Sequence, residues 1–151
     1  MSLLAIHSLL RWAVVILGFW TVLNALVGFF GKKEFSRHDN LSNLLFMISC
    51  DIQLLVGLIL YFINNWLGLM QTTPAVVMKN PGLRFFAVEH GVMMILAWVL
   101  VHVGRVAIKK TMNDRIKHKR MLLFFGLALV IILAAVPWPF RGAAGRPWLP
   151  F

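Results

Sequence analysis

The sequence predicts an all-α, polytopic membrane protein: one four-helix transmembrane bundle with both termini outside. Four long apolar stretches are separated by short polar segments. The chain is 60% hydrophobic and only 13% charged, whereas a soluble domain carries about 25% charged residues. The basic residues are concentrated in alternate connections, which is typical of cytoplasmic loops. These observations predict a single membrane domain over residues 1–151 and exclude a soluble enzyme.

The four helices follow from the length of each apolar stretch. Crossing about 30 Å of hydrocarbon takes roughly 20 helical residues. The predicted spans are 4–30, 42–66, 84–108 and 120–138. The prolines after the last span predict a non-helical, interfacial tail over 139–151, because proline cannot continue a helix.

Three connections join the predicted helices. The first two, 31–41 and 67–83, contain helix-breaking turn sequences, namely Gly-Lys-Lys and Arg-His-Asp-Asn in the first and Asn-Pro-Gly in the second. The third, 109–120, is basic and could remain partly helical. We expect His38 and His118, which lie in the basic connections, to face water or lipid phosphates.

Charge predicts the orientation. Ten of the fifteen Lys and Arg residues lie in or beside the first and third connections. Basic short loops stay on the cytoplasmic side. We therefore expect a bacterial inner-membrane protein with periplasmic termini. The net charge of +10 is spread over these loops, which favours membrane lipids as partners and not nucleic acid.

Ionisable residues inside spans are costly and usually functional. The first such cluster is predicted near the outer face, where His7 and Arg11 on helix 1 lie at a depth similar to Arg84, Glu89 and His90 on helix 3. By helical rise, His7 lies roughly 5 Å deep and His90 roughly 9 Å. Small-residue faces continue from both histidines, so the two helices could approach closely or leave room for a flat ligand.

Two histidines facing each other in a helical bundle are typical axial ligands of a b-type haem. On this hypothesis His7 and His90 bind the haem iron, while Arg11 and Arg84 pair with the propionates. Glu89 would bond a histidine ring or balance Arg11. The alternative is a purely structural knot in which Glu89 joins His7 or Arg11 and locks helices 1 and 3 together.

A second cluster lies deeper, where Asp51 on helix 2 can reach His102 or Arg105 on helix 3. A buried ion pair is the favoured interpretation, with a proton or ion relay as the alternative. His90 and His102 are twelve residues apart and so lie about 120° apart on the helix, which argues against a second haem. The eight methionines suit Cu(I), but core packing explains them better.

Several sequence blocks resemble a family of small four-helix membrane proteins, common in Bacteroidetes, that are often labelled cytochrome b-like without an established function. The resemblance covers nearly the whole chain. It is carried by His7-Ser-Leu-Leu-Arg11-Trp12, Asp51-Ile-Gln-Leu-Leu-Val-Gly-Leu-Ile-Leu-Tyr-Phe62, Arg84-Phe-Phe-Ala-Val-Glu-His90, Gly104-Arg105, Lys117-His-Lys119, Pro137-Trp-Pro-Phe140 and Arg146-Pro-Trp148.

The resemblance implies haem b as cofactor, His7 and His90 as ligands, and Arg11 and Arg84 as propionate partners. The chain departs from the family at Asp51, where a histidine is often found, so a role of helix 2 in haem binding is not implied.

Two functions follow from these patterns. The first is a membrane cytochrome b-like electron-transfer subunit, with quinol as a candidate partner and the aromatic C-terminal tail as a docking surface for another membrane or periplasmic protein. Such a chain is at most a subunit and not a stand-alone enzyme. The second is a non-catalytic structural or assembly subunit of a larger envelope complex. A proton or metal transporter is a third interpretation.

Overall fold

The computed structural model describes residues 2–150, which form helices and turns with no strand. The helices are α1 (Leu3–Phe30), α2 (Arg37–Ile63), α3 (Trp66–Thr72), α4 (Pro74–Lys79), α5 (Pro81–Arg84), α6 (His90–Lys109) and α7 (Asp114–Ala135). A π-helical turn, Phe85–Glu89, joins α5 to α6, and a 3₁₀ turn, Gly142–Ala144, lies in the tail.

Four helical segments are long and apolar enough to cross a membrane: Leu3–Phe30, Arg37–Ile63, Pro81–Lys109 and Asp114–Ala135. This confirms the predicted all-helical fold with four candidate transmembrane helices and indicates a membrane protein. Large aliphatic side chains cover its outer surface, among them Ile16, Leu55, Val92 and Val130.

Capping residues shift the helix starts from the predicted positions. Ser36 and Asp39 form a reciprocal capping box at the start of α2, which satisfies orphan backbone donors there. Asn113 accepts a hydrogen bond from the Ile116 backbone at 3.0 Å and starts α7. Both helices therefore begin several residues earlier than hydropathy alone indicates. The extended Val136 ends α7, because the residue before a proline avoids the helical conformation.

The four spans alternate in direction, so neighbours in the chain are neighbours in the bundle. α1 packs against α2 and α7, and α6 packs extensively against α7 but only loosely against α2. α1 and α6 therefore face each other across the bundle. The core includes Phe46 of α2 and Phe125 of α7, whose rings lie 5.9 Å apart.

Small residues of α1 are covered by neighbouring helices and do not bring α1 against α6. Gly18 lies against Phe46 and Leu129, and Gly28 lies against the ring of His118. His118 is completely buried, so the expectation that it faces water or phosphates is wrong: the absence of a side chain at Gly28 leaves room for its ring. His38 is exposed as expected.

Different segments of the chain form the two ends of the bundle. The terminal end is formed by the start of α1, residues 64–80 and the tail after α7. The basic end carries connections 31–36 and 110–113. The tail folds back over the terminal end, where Trp12, Trp138 and Trp148 form one aromatic cluster.

Candidate functional site

A largely apolar cavity of about 260 Å³ lies inside the terminal half of the bundle. Residues of α1, α2, α6 and the end of α7 line it, and tail residue Arg146 reaches its rim. Both α2 and α6 line this cavity, which accounts for their loose packing. Its polar lining residues include His7, Gln53, Tyr61, Asn64 and His90.

The structure brings His7 and His90 together across the bundle, as the sequence analysis predicted. Their ring centroids lie 6.3 Å apart and their planes differ by 75°. Two imidazole nitrogens each roughly 2 Å from a shared metal ion place the ring centroids about 6 Å apart. The separation of the rings is therefore compatible with two imidazoles that would hold one metal centre.

Hydrogen bonds assign the same tautomer to both histidines. His90 Nδ1 lies 2.8 Å from the Ala135 carbonyl oxygen, which only accepts, so Nδ1 carries the proton. Gln53 Nε2 donates to the His7 carbonyl oxygen at 3.0 Å and lies 3.3 Å from His7 Nε2. An amide nitrogen only donates, so His7 Nε2 accepts. Each ring therefore has an unprotonated Nε2, the form in which imidazole binds a metal. That of His7 accepts from Gln53, and the His7 Nδ1 has no hydrogen-bond partner among residues 2–150.

Two glycines keep space open beside these rings. A Cβ at Gly57 would lie 3.1 Å from His7 Cε1, and a Cβ at Gly91, next to His90, would meet nothing within 4 Å. Both glycines line the cavity. The histidine pair thus borders free volume on the side of Gly91, while the rings of Phe85 and Phe86 pack beside His90, with centroids 5.6 and 6.5 Å from its own.

The expected propionate partners are engaged elsewhere. Arg11 donates to the carbonyl oxygens of Trp148 at 2.7 Å and Pro147 at 3.4 Å. Arg84 pairs with Glu89 at 2.6 Å. Glu89 therefore bonds neither histidine nor Arg11, and the structural knot expected from the sequence does not form in this arrangement.

Arg146 also borders the cavity, but its guanidinium has no comparable hydrogen bonds or ion pair. Its guanidinium lies 4.9 Å from the centre of the Phe86 ring. Among residues 2–150, no hydrogen bond or ion pair involves this guanidinium, although the Arg146 backbone donates to the Pro137 carbonyl oxygen at 3.0 Å. Sequence reasoning missed this role because Arg146 is more than fifty residues from either histidine and reaches the site only through the fold of the tail.

A π-helical turn precedes His90 directly. Such a turn inserts an extra residue into a helix and is frequent at functional sites. Tyr61 donates to the Ala87 carbonyl oxygen at 2.9 Å, which satisfies an acceptor within the turn. The turn and Tyr61 together set where the helix that carries His90 begins.

The second predicted cluster also assembles in part. Asp51 Oδ1 accepts a hydrogen bond from Trp98 Nε1 at 2.6 Å and lies 3.3 Å from His102 Nε2. Arg105 instead bonds Asn40 and Asn43 near the basic end. Asp51 and His102 are absent from the cavity lining, so this cluster and the histidine pair are separate sites.

The donor chemistry of the cavity decides which groups its residues could hold. Within residues 2–150, no group of three or more His, Cys, Asp and Glu side chains could hold a metal ion. Haem iron needs only two axial protein ligands because the macrocycle supplies the others. Two accepting imidazole nitrogens, apolar walls and an arginine at the rim fit that group.

Fold and site together define a helical bundle with four candidate membrane spans and a two-histidine cavity near one end of the bundle. Comparison with models of known protein families, with curated proteins and with solved structures gives no match.

Proposed function

We propose that this protein is a membrane-embedded, b-type cytochrome-like electron-transfer subunit that binds one haem between α1 and α6. The observation that carries the proposal is the His7 and His90 pair, 6.3 Å apart, with both Nε2 atoms unprotonated. A haem held there would supply one-electron transfer. The chain itself would supply ligation, orientation and an apolar surrounding.

Each histidine has a partner that fixes its orientation. The Ala135 carbonyl oxygen on α7 holds His90 through Nδ1, which is the usual arrangement behind a ligating histidine. Gln53 holds His7 through both its backbone and its ring. Because Gln53 is the present partner of His7 Nε2, its amide must turn away when that nitrogen binds iron.

Carboxylates of the bound group would lie toward the terminal end, where the arginines are. Arg146 borders the cavity and has a free guanidinium, so it is the first candidate to bind a propionate. Arg11 and Arg84 would take part only if they released the tail carbonyls and Glu89. Arg11 and Arg84 therefore act, on this proposal, mainly in holding the walls of the site.

Electrons would enter and leave at the terminal end. Quinol from the bilayer is a candidate donor, since the cavity is lined by side chains of α2 and α6, such as Leu58 and Ile95, that are also exposed on the outer surface. A membrane or periplasmic protein is the candidate partner on the other side. The tail offers Phe140, Trp148 and Leu149 as exposed apolar side chains, the residue types that anchor protein contacts.

The proposal includes the bacterial inner membrane as location, with the basic end in the cytoplasm and both termini in the periplasm. Anionic lipids of the cytoplasmic leaflet would attract the basic end. The haem would then lie near the periplasmic face.

The reduced-minus-oxidised absorption spectrum of the purified protein, with haem measured per chain, tests this function. We expect about one b-type haem per chain and its loss in His7→Ala and in His90→Ala. His102→Ala is the matched control, because it removes a span histidine outside the cavity and should retain haem. Iron and copper analysis of the same samples separates haem from copper.

Absence of haem from the wild-type protein, or haem that survives both cavity substitutions, would refute the proposal. In that case the chain is better explained as a structural or assembly subunit, since Arg84 pairs with Glu89, and Asp51 with His102, without any further group.

A further inference from the structure

Polar contacts join α2 to the helix that carries His90 at two levels of the bundle. Toward the terminal end, Tyr61 donates to the Ala87 carbonyl oxygen at 2.9 Å. Deeper in the bundle, Trp98 donates to Asp51 at 2.6 Å. The two levels are separated by about 15 Å of α2, given the helical rise. Within residues 2–150, no side-chain hydrogen bond or ion pair joins α2 to α6 between these levels.

Between the two levels, the wall of the histidine cavity is one side chain thick. Leu58 of α2 and Ile95 of α6 line the cavity and are also 40% and 46% exposed. Gly57 and Gly91 line the same part of the wall without a side chain, and a Cβ at Gly91 would meet nothing within 4 Å. Flexible apolar side chains alone therefore separate the cavity from the outer surface here.

The other approach to the cavity, from the terminal end, is covered more firmly. The Trp66 and Phe86 rings stack with centroids 5.9 Å apart, and the Arg146 guanidinium lies 4.9 Å from the centre of the Phe86 ring. Arg11 holds the tail by a hydrogen bond to the Trp148 carbonyl oxygen at 2.7 Å. Opening this end requires the loss of a charged hydrogen bond, whereas exposed side chains change rotamer within nanoseconds.

We propose that the cavity opens sideways, between α2 and α6, and takes its ligand from the hydrocarbon of the bilayer. The ligand class is then a flat or ring-shaped molecule that dissolves in lipid. Such a molecule passes Leu58 and Ile95 without leaving an apolar medium, and it meets the polar groups of His7 and His90 only inside. This inference goes beyond the proposed function, because it concerns access to the cavity and holds for any ligand of this class.

The thiol of Cys50 can report on this access without any haem. Cys50 is the single cysteine of the chain, is free and buried, and lines the cavity. An apolar cavity of about 150 Å³ admits a benzene ring, so the cavity of about 260 Å³ found here has room for a benzyl group.

Modification of Cys50 in lipid vesicles, followed by mass spectrometry, therefore tests the route. One reagent is benzyl methanethiosulfonate, which dissolves in lipid, and the other is its trimethylammonium-ethyl analogue, which stays in water. We expect the benzyl reagent to react roughly tenfold faster or more, because a charge is costly to move along an apolar path.

Variants of the thin wall locate the opening. Leu58→Ala should speed the benzyl reaction roughly tenfold, because only Ile95 then has to move to open the path. Leu55→Ala is the matched control: Leu55 also lies on α2 and is 61% exposed, but it does not line the cavity. This control should react at the wild-type rate. Ile95→Trp thickens the wall and should slow the reaction.

Thermal unfolding of all variants checks that they fold. Equal rates for the two reagents in the wild-type protein would overturn the proposal, as would equal rates for Leu58→Ala and Leu55→Ala. A larger acceleration in Arg11→Ala, which loosens the tail, than in Leu58→Ala would place the entrance at the terminal end instead. None of these measurements needs haem, so failure of this proposal and failure of the proposed function are separate results.

Discussion

At the scale of single residues, the site depends on which atom of each histidine is already engaged. Ala135 commits Nδ1 of His90, whereas Gln53 occupies Nε2 of His7. On the proposed function, Nε2 of His90 is available to a haem, whereas Nε2 of His7 must first release Gln53. Gly91 matters for what it lacks: it contributes no side chain and leaves the volume beside His90 open.

Filling that volume should weaken haem binding without removing a side chain that would bind the iron. A phenyl ring at Gly91 would project into open space in the cavity, and overfilling a binding site costs about 1–3 kcal/mol. For Gly91→Phe we expect haem affinity to fall roughly tenfold or more. Haem titration of the purified protein, followed by absorption, measures this affinity.

Gly126→Phe is the control for that change. A Cβ at Gly126 approaches only Leu122 Cδ1, at 3.9 Å, and the position lies outside the cavity. Equal haem binding by the Gly91→Phe, Gly126→Phe and wild-type proteins would show that the cavity beside His90 is not the haem site.

Sequence reasoning located the two histidines but not their surroundings. Helical rise alone puts His7 and His90 at similar depths, and the structure confirms that they meet. Depth does not give the rotation of a helix, so the contact between Gln53 and His7 could not be predicted. The burial of His118 was also missed, because hydropathy treats residues 109–120 as a loop and ignores the cap at Asn113.

At the scale of elements, capping and backbone geometry modify what hydropathy predicts. Apolar length gave four spans, all of which are present. The π-helical turn before His90 has no such signal, since Phe85–Glu89 contains neither glycine nor proline. The fold of the tail was equally hidden, because its contacts join residues more than 130 positions apart in the chain.

The tail is held by Arg11, and loss of that side chain should release it. Hydrogen bonds from a charged donor contribute about 1.5–3 kcal/mol. In Arg11→Ala we expect the open population of the tail to rise roughly tenfold or more. Limited trypsin digestion should then cut faster after Arg141, which lies in the tail.

Arg84→Ala serves as the matched variant for this experiment. Arg84 lies at the same end of the bundle but bonds Glu89 and the Met78 carbonyl oxygen, not the tail. Cleavage after Arg141 should therefore stay near the wild-type rate in Arg84→Ala. Unchanged cleavage in Arg11→Ala would mean that the aromatic cluster holds the tail without the arginine.

At the scale of the whole molecule, the two ends of the bundle differ in charge and in chemistry. Most of the basic residues lie at the basic end; the exceptions are Arg11, Lys79, Arg84, Arg141 and Arg146. Of these, Arg84 forms an ion pair with Glu89, and Arg11 donates hydrogen bonds to tail carbonyl oxygens. The cavity opens near the less basic end. Orientation in the membrane therefore decides on which side any electron partner must approach.

The positive-inside rule applies to short loops such as 31–36 and 110–113, and it predicts that the basic end faces the cytoplasm. Single cysteines at Lys33, in the first connection, and at Lys79, near the start of the third span, test this in whole cells. Cys50 is free but buried, and Cys50→Ala removes it as a background. A membrane-impermeant maleimide should label Lys79→Cys and leave Lys33→Cys unlabelled until the cells are opened. Labelling of Lys33→Cys in intact cells would show that the orientation is the reverse of the predicted one. The histidine cavity would then lie nearer the cytoplasmic face, and any electron partner would have to approach from that side.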